Sequence, residues 1–243
     1  MKRYLACLAL FTLIATNAGA QQPPDAAPAP DPGLPNQAPP DQALPPDPRG
    51  VPDPHEGLVN PPDELPKLPR GDRYRNLDFL FGALKAAPTE ASAKAVEDRI
   101  WAVWTAAGSE TTVLLMNRAK KALDDAGKER NEEEKTKGYD LALHLLDAVI
   151  EIKPDYTEAW NRRATVYFMK KDYADALSDI FKVLQREPRH FGALSGLGLI
   201  MQDIGDDKRA LDAYRQALEV YPRLKGMEEK VKNLKEKVEG RDI

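Results

Sequence analysis

The chain has 243 residues, of which 42% are hydrophobic and 30% charged, with a net charge of −4. Seventeen of its 21 prolines lie between Pro23 and Pro69, whereas residues 73–243 carry 30 acidic and 30 basic side chains. These 171 residues are enough for one folded domain. Because the folded part lacks the basic excess that phosphate-backbone binding requires, its charge argues against nucleic acid as a partner.

The first twenty residues have the three parts of a secretory signal peptide. Lys2 and Arg3 are followed by an apolar run of about 13 residues and by the small-residue sequence Ala-Gly-Ala that ends at Ala20. We expect cleavage after Ala20 and export to the periplasm. The alternative is an uncleaved anchor, but a spanning helix needs about 20 apolar residues. Cleavage removes Cys7, the single cysteine, so we expect a mature chain without disulfide, thiolate or stable membrane span.

Residues 21–72 form a proline-rich segment whose composition predicts a disordered tether with polyproline II character. Its large apolar residues are spaced too widely to predict a core. They are Leu34, Leu44, Val51, Leu58, Val59, Leu65 and Leu68. Composition favours a solubilising arm, and the alternative is a proline-rich ligand for another domain. The candidate sites for that ligand are Pro23-Pro24, Pro39-Pro40, Pro45-Pro46 and Pro61-Pro62.

Two helices are predicted within residues 73–110. The first runs from Leu77 to Ala86 and the second from Glu90 to Ala106, with Pro88 between them. Each has apolar residues three and four positions apart, which is typical of an amphipathic helix. A stack of helices needs closing elements, so we expect this pair to cap the N-terminal end of the helices that follow.

A period of 34 residues runs through the C-terminal half. Two of the aligned columns are Ala142, Ala176 and Ala210, and Pro154, Pro188 and Pro222. Small residues in one column allow two helix backbones to approach closely. Each proline ends a helix, because it cannot donate the next backbone hydrogen bond and it disfavours helical conformation in the residue before it.

The copy at residues 111–156 contains a charged insertion. Its helices are predicted over Thr111–Leu123 and Lys137–Ile152, which leaves Asp124–Thr136 in the turn. We interpret this insertion as a solvated helix extension or loop.

Residues 225–243 are predicted to form a C-terminal capping helix. Its apolar residues form a narrow stripe on a helix otherwise rich in Lys and Glu. A coiled-coil dimer contact is the alternative, although two heptads fall short of the usual length.

Two of the copies, residues 157–190 and 191–224, resemble the tetratricopeptide repeat. The residues that carry the resemblance are Trp160, Ala164, Tyr167, Ala176, Ile180 and Pro188, and Leu194, Leu197, Gly198, Ala210, Tyr214 and Pro222. The main departure is Arg163, where the family usually has Leu. The resemblance implies an all-α superhelix, or alpha solenoid, of three repeats over 111–156, 157–190 and 191–224, which binds ligands in a concave groove lined by the first helix of each pair.

The resemblance also implies which residues face the groove. They are Glu158, Asn161, Thr165, Phe168, Met169, Ser195, Leu199, Gln202 and Asp203, with Met116, Lys120 and Leu123 upstream. This mixed surface suits an extended or helical peptide, although Phe168 and Leu199 could instead pack between repeats. Some family members grip a terminal carboxylate with a set of polar residues. Here Lys120 is in place, but Met116, Gly192 and Gly196 occupy other positions of that set.

The sequence offers no catalytic constellation. Its three histidines, His55, His144 and His190, are isolated, and no phosphate-binding or metal-binding motif occurs, so we expect no enzyme, no metal and no cofactor. The order of signal, tether and repeats resembles periplasmic repeat proteins of Gram-negative bacteria. This implies a monomeric adaptor for an envelope protein or peptide, with a role in envelope assembly or integrity. The alternatives are a self-associating structural protein and an accessory factor that binds or modifies cell-wall glycan.

Overall fold

The computed structural model describes residues 57–67, 76–106 and 109–240, and every regular element in these ranges is an α-helix. The helices of this part of the chain are α1 (Leu77–Lys85), α2 (Glu90–Trp104), α3 (Glu110–Lys128), α4 (Glu132–Ile152), α5 (Thr157–Met169), α6 (Tyr173–Arg186), α7 (Phe191–Asp203), α8 (Asp207–Val220) and α9 (Met227–Val238). The predicted all-α fold is confirmed. The predicted signal peptide and residues 21–56 and 68–72 of the predicted tether lie outside the described residues.

The 34-residue period extends to the backbone conformation of the turns. Lys171 (φ 60°) and Gly205 (φ 83°) both adopt the left-handed conformation that ends the first helix of a pair. The next residues, Asp172 and Asp206, accept a hydrogen bond from the first turn of α6 and of α8. Lys171 adopts this conformation at a cost of about 1 kcal/mol, whereas glycine adopts it freely.

The pairs α3–α4, α5–α6 and α7–α8 pack as hairpins, and the hairpins stack in chain order. The small residues of the repeat lie at the helix contacts, since Ala142, Ala176 and Ala210 are fully buried. At Gly198 the approach is closest, because an added Cβ would lie 2.2 Å from the ring of Tyr214. Of the other signature residues, Trp160 and Ala164 are buried, whereas Tyr167 and Pro222 are partly exposed and Pro188 is exposed.

Arg163, the departure from the family pattern, joins three helices through ion pairs. It donates two hydrogen bonds to Asp179 on α6, at 2.6 and 2.9 Å, and one of 2.6 Å to Asp147 on α4. Asp179 is only 2% exposed. Burial alone would lower the pKa of Arg163, but the hydrogen bonds to the two carboxylates outweigh it and raise the pKa above its usual value. The guanidinium therefore stays charged at a position where the family usually has an aliphatic side chain.

The charged insertion extends both helices of the first pair. Helix α3 continues to Lys128 and α4 begins at Glu132, so most of the insertion is helical and the turn is shorter than the predicted Asp124–Thr136. The side chain of Asn131 accepts hydrogen bonds from the first turn of α4. Within the extension the two helices touch at Ala126 and Gly138, where an added Cβ would lie 2.7 Å from Cβ of Ala126.

Helices α1 and α2 lie elsewhere than predicted. Instead of capping the N-terminal end of the stack, α2 follows the row of turns between repeats. The hydroxyl of Tyr156, at the start of α5, donates to the carbonyl of Thr105, and the hydroxyl of Tyr221, at the end of α8, donates to Glu97. The physical reason is an aromatic cluster, in which Trp104 stacks on His190 with ring centroids 4.0 Å apart.

Helix α9 packs against α8 at the C-terminal end of the stack. Its apolar stripe is used within the domain, because Met227 and Leu234 are 1% and 3% exposed. Val231 is partly exposed and Val238 is 37% exposed. The residues that a coiled-coil contact would need are therefore largely buried already.

Candidate partner-binding groove

The groove is lined by the first helices of the three pairs, α3, α5 and α7, and residues 57–67 lie along it. We call these residues the strap. A Cβ added at Gly57 would lie 3.3 Å from Cδ2 of Leu199 on α7, whereas Asp63 lies beside Lys120 on α3. The strap thus crosses the groove from the third repeat to the first.

The prediction that the apolar residues of the proline-rich segment do not pack is wrong for the strap. Leu58, Val59 and Leu65 are packed against the hydrophobic core, although the apolar residues of this segment seemed too widely spaced to pack. Leu58 and Val59 are the only adjacent pair of branched aliphatic residues in the segment. That pair is the signal in the sequence that could have identified the strap.

The aliphatic pair fits closely onto α5 and α7. About 10 Å³ of free space remains between the pair and a surface that includes Asn161, Thr165 and Phe168. This volume is at the lower limit for one water molecule, so water is largely excluded from the contact. Gly192 permits the close approach, because a Cβ there would lie 2.9 Å from the carbonyl oxygen of Val59.

An ion pair holds the strap at Asp63, beside the first repeat. Nζ of Lys120 lies 2.8 Å from Oδ1 of Asp63 and 2.7 Å from Oδ2 of Asp124. The hydrogen bond to Lys120, together with its charge, lowers the pKa of Asp63. The hydrogen bonds to Asp124 and Asp63 raise the pKa of Lys120. Because Asp63 is 84% exposed, the pair sets the position of the strap more than it stabilises the fold.

The nine residues predicted to face the groove differ in exposure in the structure. Buried are Glu158, Asn161, Phe168, Ser195 and Leu199, whereas Thr165 and Met169 are partly exposed and Gln202 and Asp203 are exposed. Asn161, Thr165, Phe168 and Leu199 surround the strap. Gln202 and Asp203 instead accept hydrogen bonds from the hydroxyls of Tyr214 and Tyr173.

Glu158 and Ser195 are built into the fold rather than presented to a ligand. Fully buried Glu158 accepts hydrogen bonds from Asn161 and Arg162, and its Oε2 lies 3.5 Å from Nε2 of His190. The hydroxyl of Ser195, also fully buried, donates to the carbonyl of Phe191. The resemblance assigned both side chains to the inner face but did not show that they are fully buried.

A cavity of about 590 Å³ lies between the start of the strap, helix α2 and the α8–α9 turn. Side chains of both charges line it, among them Glu90, Lys94, Arg223 and Lys230. Sequence analysis did not predict this space, because it depends on where α2 packs. Residues 57–60 form part of its wall.

Within residues 57–67, 76–106 and 109–240, no group of three or more His, Cys, Asp or Glu side chains is placed to hold a metal ion. Among the helices of these ranges, none combines the length and apolar character needed to cross a bilayer.

The stacked helix pairs and their groove define a helical-repeat, protein-binding domain. A sequence model of the tetratricopeptide repeat matches residues 132–188. A TPR repeat-containing protein of Rhizobium etli is 41% identical over 148 residues, which are 61% of this chain and 67% of that protein. The chain belongs to the tetratricopeptide repeat family, whose members mediate protein–protein interactions.

Other matches are less similar in sequence. The small glutamine-rich tetratricopeptide repeat-containing protein 2 of Saccharomyces cerevisiae is 26% identical over 97 residues, which are 40% of this chain and 28% of the yeast protein. Among solved structures, the Arabidopsis OM64 TPR domain is 18% identical with a TM-score of 0.40, over 51% of this chain and 99% of that domain. A mutant of MamA is 19% identical with a TM-score of 0.40, over 69% of this chain and 87% of its own.

Proposed function

We propose that the protein is an exported, periplasmic adaptor that binds an envelope protein through the concave groove and supports assembly or integrity of the envelope. The observation that carries the binding role is the strap itself. An extended segment lies across α3, α5 and α7, held by apolar contacts in the middle of the groove and by an ion pair at its edge. The groove therefore has the dimensions and chemistry to hold an extended peptide.

The proposed periplasmic location rests on the sequence. A short basic start, an apolar run and a small-residue cleavage site favour export. The expected mature protein begins at Gln21. Mass spectrometry of the protein from a periplasmic fraction tests this directly, and an intact residue 1 or a purely cytoplasmic location would contradict the proposal.

The binding role is tested by affinity capture from a native envelope extract with residues 21–243 as bait. The informative variant is Thr165→Arg. Thr165 is partly exposed and lies beside both the aliphatic pair and the following residues Asn60, Pro61 and Asp63 of the strap. The larger charged side chain fills the groove without removing a core residue. A partner that binds in the groove should be lost from this variant.

The matched control is Ser178→Arg, the same new side chain at an exposed position on α6. It should capture the same proteins as the wild type. Equal capture by the wild type and both variants would exclude the groove as the binding site. Retention of sacculus fragments alone would favour the glycan-binding alternative instead.

A further inference from the structure

We propose that the strap is a displaceable internal ligand, and that the partner of the groove is an extended segment of the same chemistry: two consecutive aliphatic residues, then prolines and a carboxylate. This rests on the proposed function, since both require the groove to bind an extended peptide. It adds the chemical class of the peptide and a condition for binding, which is that the strap leaves first.

The floor of the groove selects the aliphatic pair. Leu58 and Val59 lie on α5 and α7 with almost no free space beneath them. Gly192 and Gly196 both border this contact, so the backbone of a ligand can approach the helix closely. A ligand with polar or bulky residues at these two positions would lose the apolar contact or meet the helix surface.

Lys120 selects the carboxylate. Asp63 follows Val59 by four residues, and Pro61 and Pro62 lie between them. Prolines favour an extended conformation of about 3.1 Å per residue, which carries the chain from α5 to α3 with little loss of conformational freedom on binding. The register of the ligand is thus fixed at two points, the aliphatic pair and the acidic residue.

The strap is held loosely enough to exchange. In the described part of the chain, no backbone hydrogen bond joins it to a helix. Its ion pair with Lys120 is exposed, and exposed pairs contribute little. The 590 Å³ cavity borders residues 57–60, so the start of the strap lies beside open space. Because the strap is part of the chain, its local concentration is about millimolar, so even a weak ligand would fill the groove.

The test uses a peptide with the sequence of residues 57–67, labelled with fluorescein, and the chain of residues 21–243. Fluorescence anisotropy measures the Kd of the peptide for the wild type and for the double variant Leu58→Ser, Val59→Ser. The wild type should bind weakly because its own strap competes. The double variant should bind at least about tenfold more tightly, since the open fraction of the groove rises.

Three controls accompany this measurement. The variant Glu64→Gln, Lys67→Gln changes two exposed strap residues and should bind like the wild type. A peptide with serine in place of Leu58 and Val59 should not bind. Adding Thr165→Arg to the double variant should abolish binding, because the new side chain fills the groove.

A second variant keeps the test decisive if the double variant does not fold. Asp63→Lys changes a side chain that is 84% exposed and should tighten peptide binding by about two- to fivefold. Equal binding to wild type and variants, or no binding to any of them, would refute the proposal. Loss of the folded state in both strap variants, seen by circular dichroism, would also refute it, because the strap would then be a permanent part of the core.

The outcomes separate this proposal from the proposed function. If the labelled peptide binds as expected but Thr165→Arg captures the same proteins as the wild type, the displaceable strap stands and the adaptor function fails. If capture depends on Thr165 but the strap variants capture no more partner than the wild type, the adaptor function stands and displacement fails.

Discussion

Replacing Gly198 with alanine adds a methyl group where the ring of Tyr214 already lies. The new Cβ would be 2.2, 2.4 and 2.8 Å from three ring carbons. Carbon atoms pack at about 3.5–4.0 Å, so the ring or the helix would have to move by about 1 Å or more. Tyr214 is fully buried and its hydroxyl donates to Gln202 at 3.0 Å, which leaves the ring little room to move.

The expected magnitude follows from two opposing effects. Overpacking of this kind costs about 1–3 kcal/mol, and the severity of this overlap indicates the upper end. Alanine regains about 0.5–1 kcal/mol in a helix relative to glycine. The net loss in the free energy of unfolding should be about 2 kcal/mol, which corresponds to a fall in Tm of about 4–8 °C for a domain of this size.

Urea unfolding followed by circular dichroism measures this difference, with Gly82→Ala as the matched control. Gly82 lies within α1, is exposed, and an added Cβ would have no atom within 4 Å. The same substitution should there stabilise the protein by about 0.5–1 kcal/mol. If Gly198→Ala were as stable as the wild type while Gly82→Ala behaved as expected, the explanation of the small-residue column by close helix contact would be wrong.

Two further predictions concern the core. Arg163→Leu should destabilise the domain by about 2–3 kcal/mol, because it leaves Asp179 buried without its main partner. The double variant Arg163→Leu, Asp179→Leu should recover most of that loss. Equal urea midpoints for the single and the double variant would contradict this prediction. Burial raises the pKa of Tyr156, Tyr214 and Tyr221 above the ordinary value of about 10. Because the folded-state pKa is the higher one, the stability that these tyrosines contribute is fully present below about pH 10 and is lost as the pH rises through the folded-state pKa, by at most about 1.4 kcal/mol per pH unit for each tyrosine. The urea concentration at the unfolding midpoint should therefore fall steeply above this pH. If the tyrosinate absorbance of the folded protein rose with a midpoint near pH 10, the raised pKa values would be refuted.

The repeats could be predicted from sequence because their determinants are local. A proline that ends a helix, an alanine at a helix contact and an aspartate at a cap each act within a few residues, and their spacing of 34 repeats along the chain. The turn after α5 shows the strength of this information, since Lys171 adopts the same conformation as Gly205 without being glycine.

The placement of α2 could not be predicted in this way. Its amphipathic pattern showed which face is apolar but not what that face packs against. The answer depends on pairs such as Glu97 and Tyr221, which are 124 residues apart in the chain. The groove shows the same limit, because Glu158 occupies an inner position yet is covered by side chains from other turns.

The strap was missed for a different reason. Composition describes an average, and proline dominates the average over residues 21–72. Two adjacent aliphatic residues, Leu58 and Val59, are too few to change it, but they are enough to fill a small apolar surface. Whether a short segment packs depends on the surface that it meets, which the segment itself does not encode.

The contact between α2 and the turns after the repeats has a consequence for synthesis of the chain. Trp101 and Trp104 pack on His190 and Phe191. Glu97 accepts a hydrogen bond from Tyr221, which follows it by 124 residues. At ordinary rates of translation Glu97 is made roughly 6–25 s before Tyr221, and both indole rings are made well before His190 and Phe191. A ribosome that stops before His190 would release a chain in which both indole rings lack the rings of His190 and Phe191. The expected product is an aggregation-prone fragment rather than a shorter repeat protein.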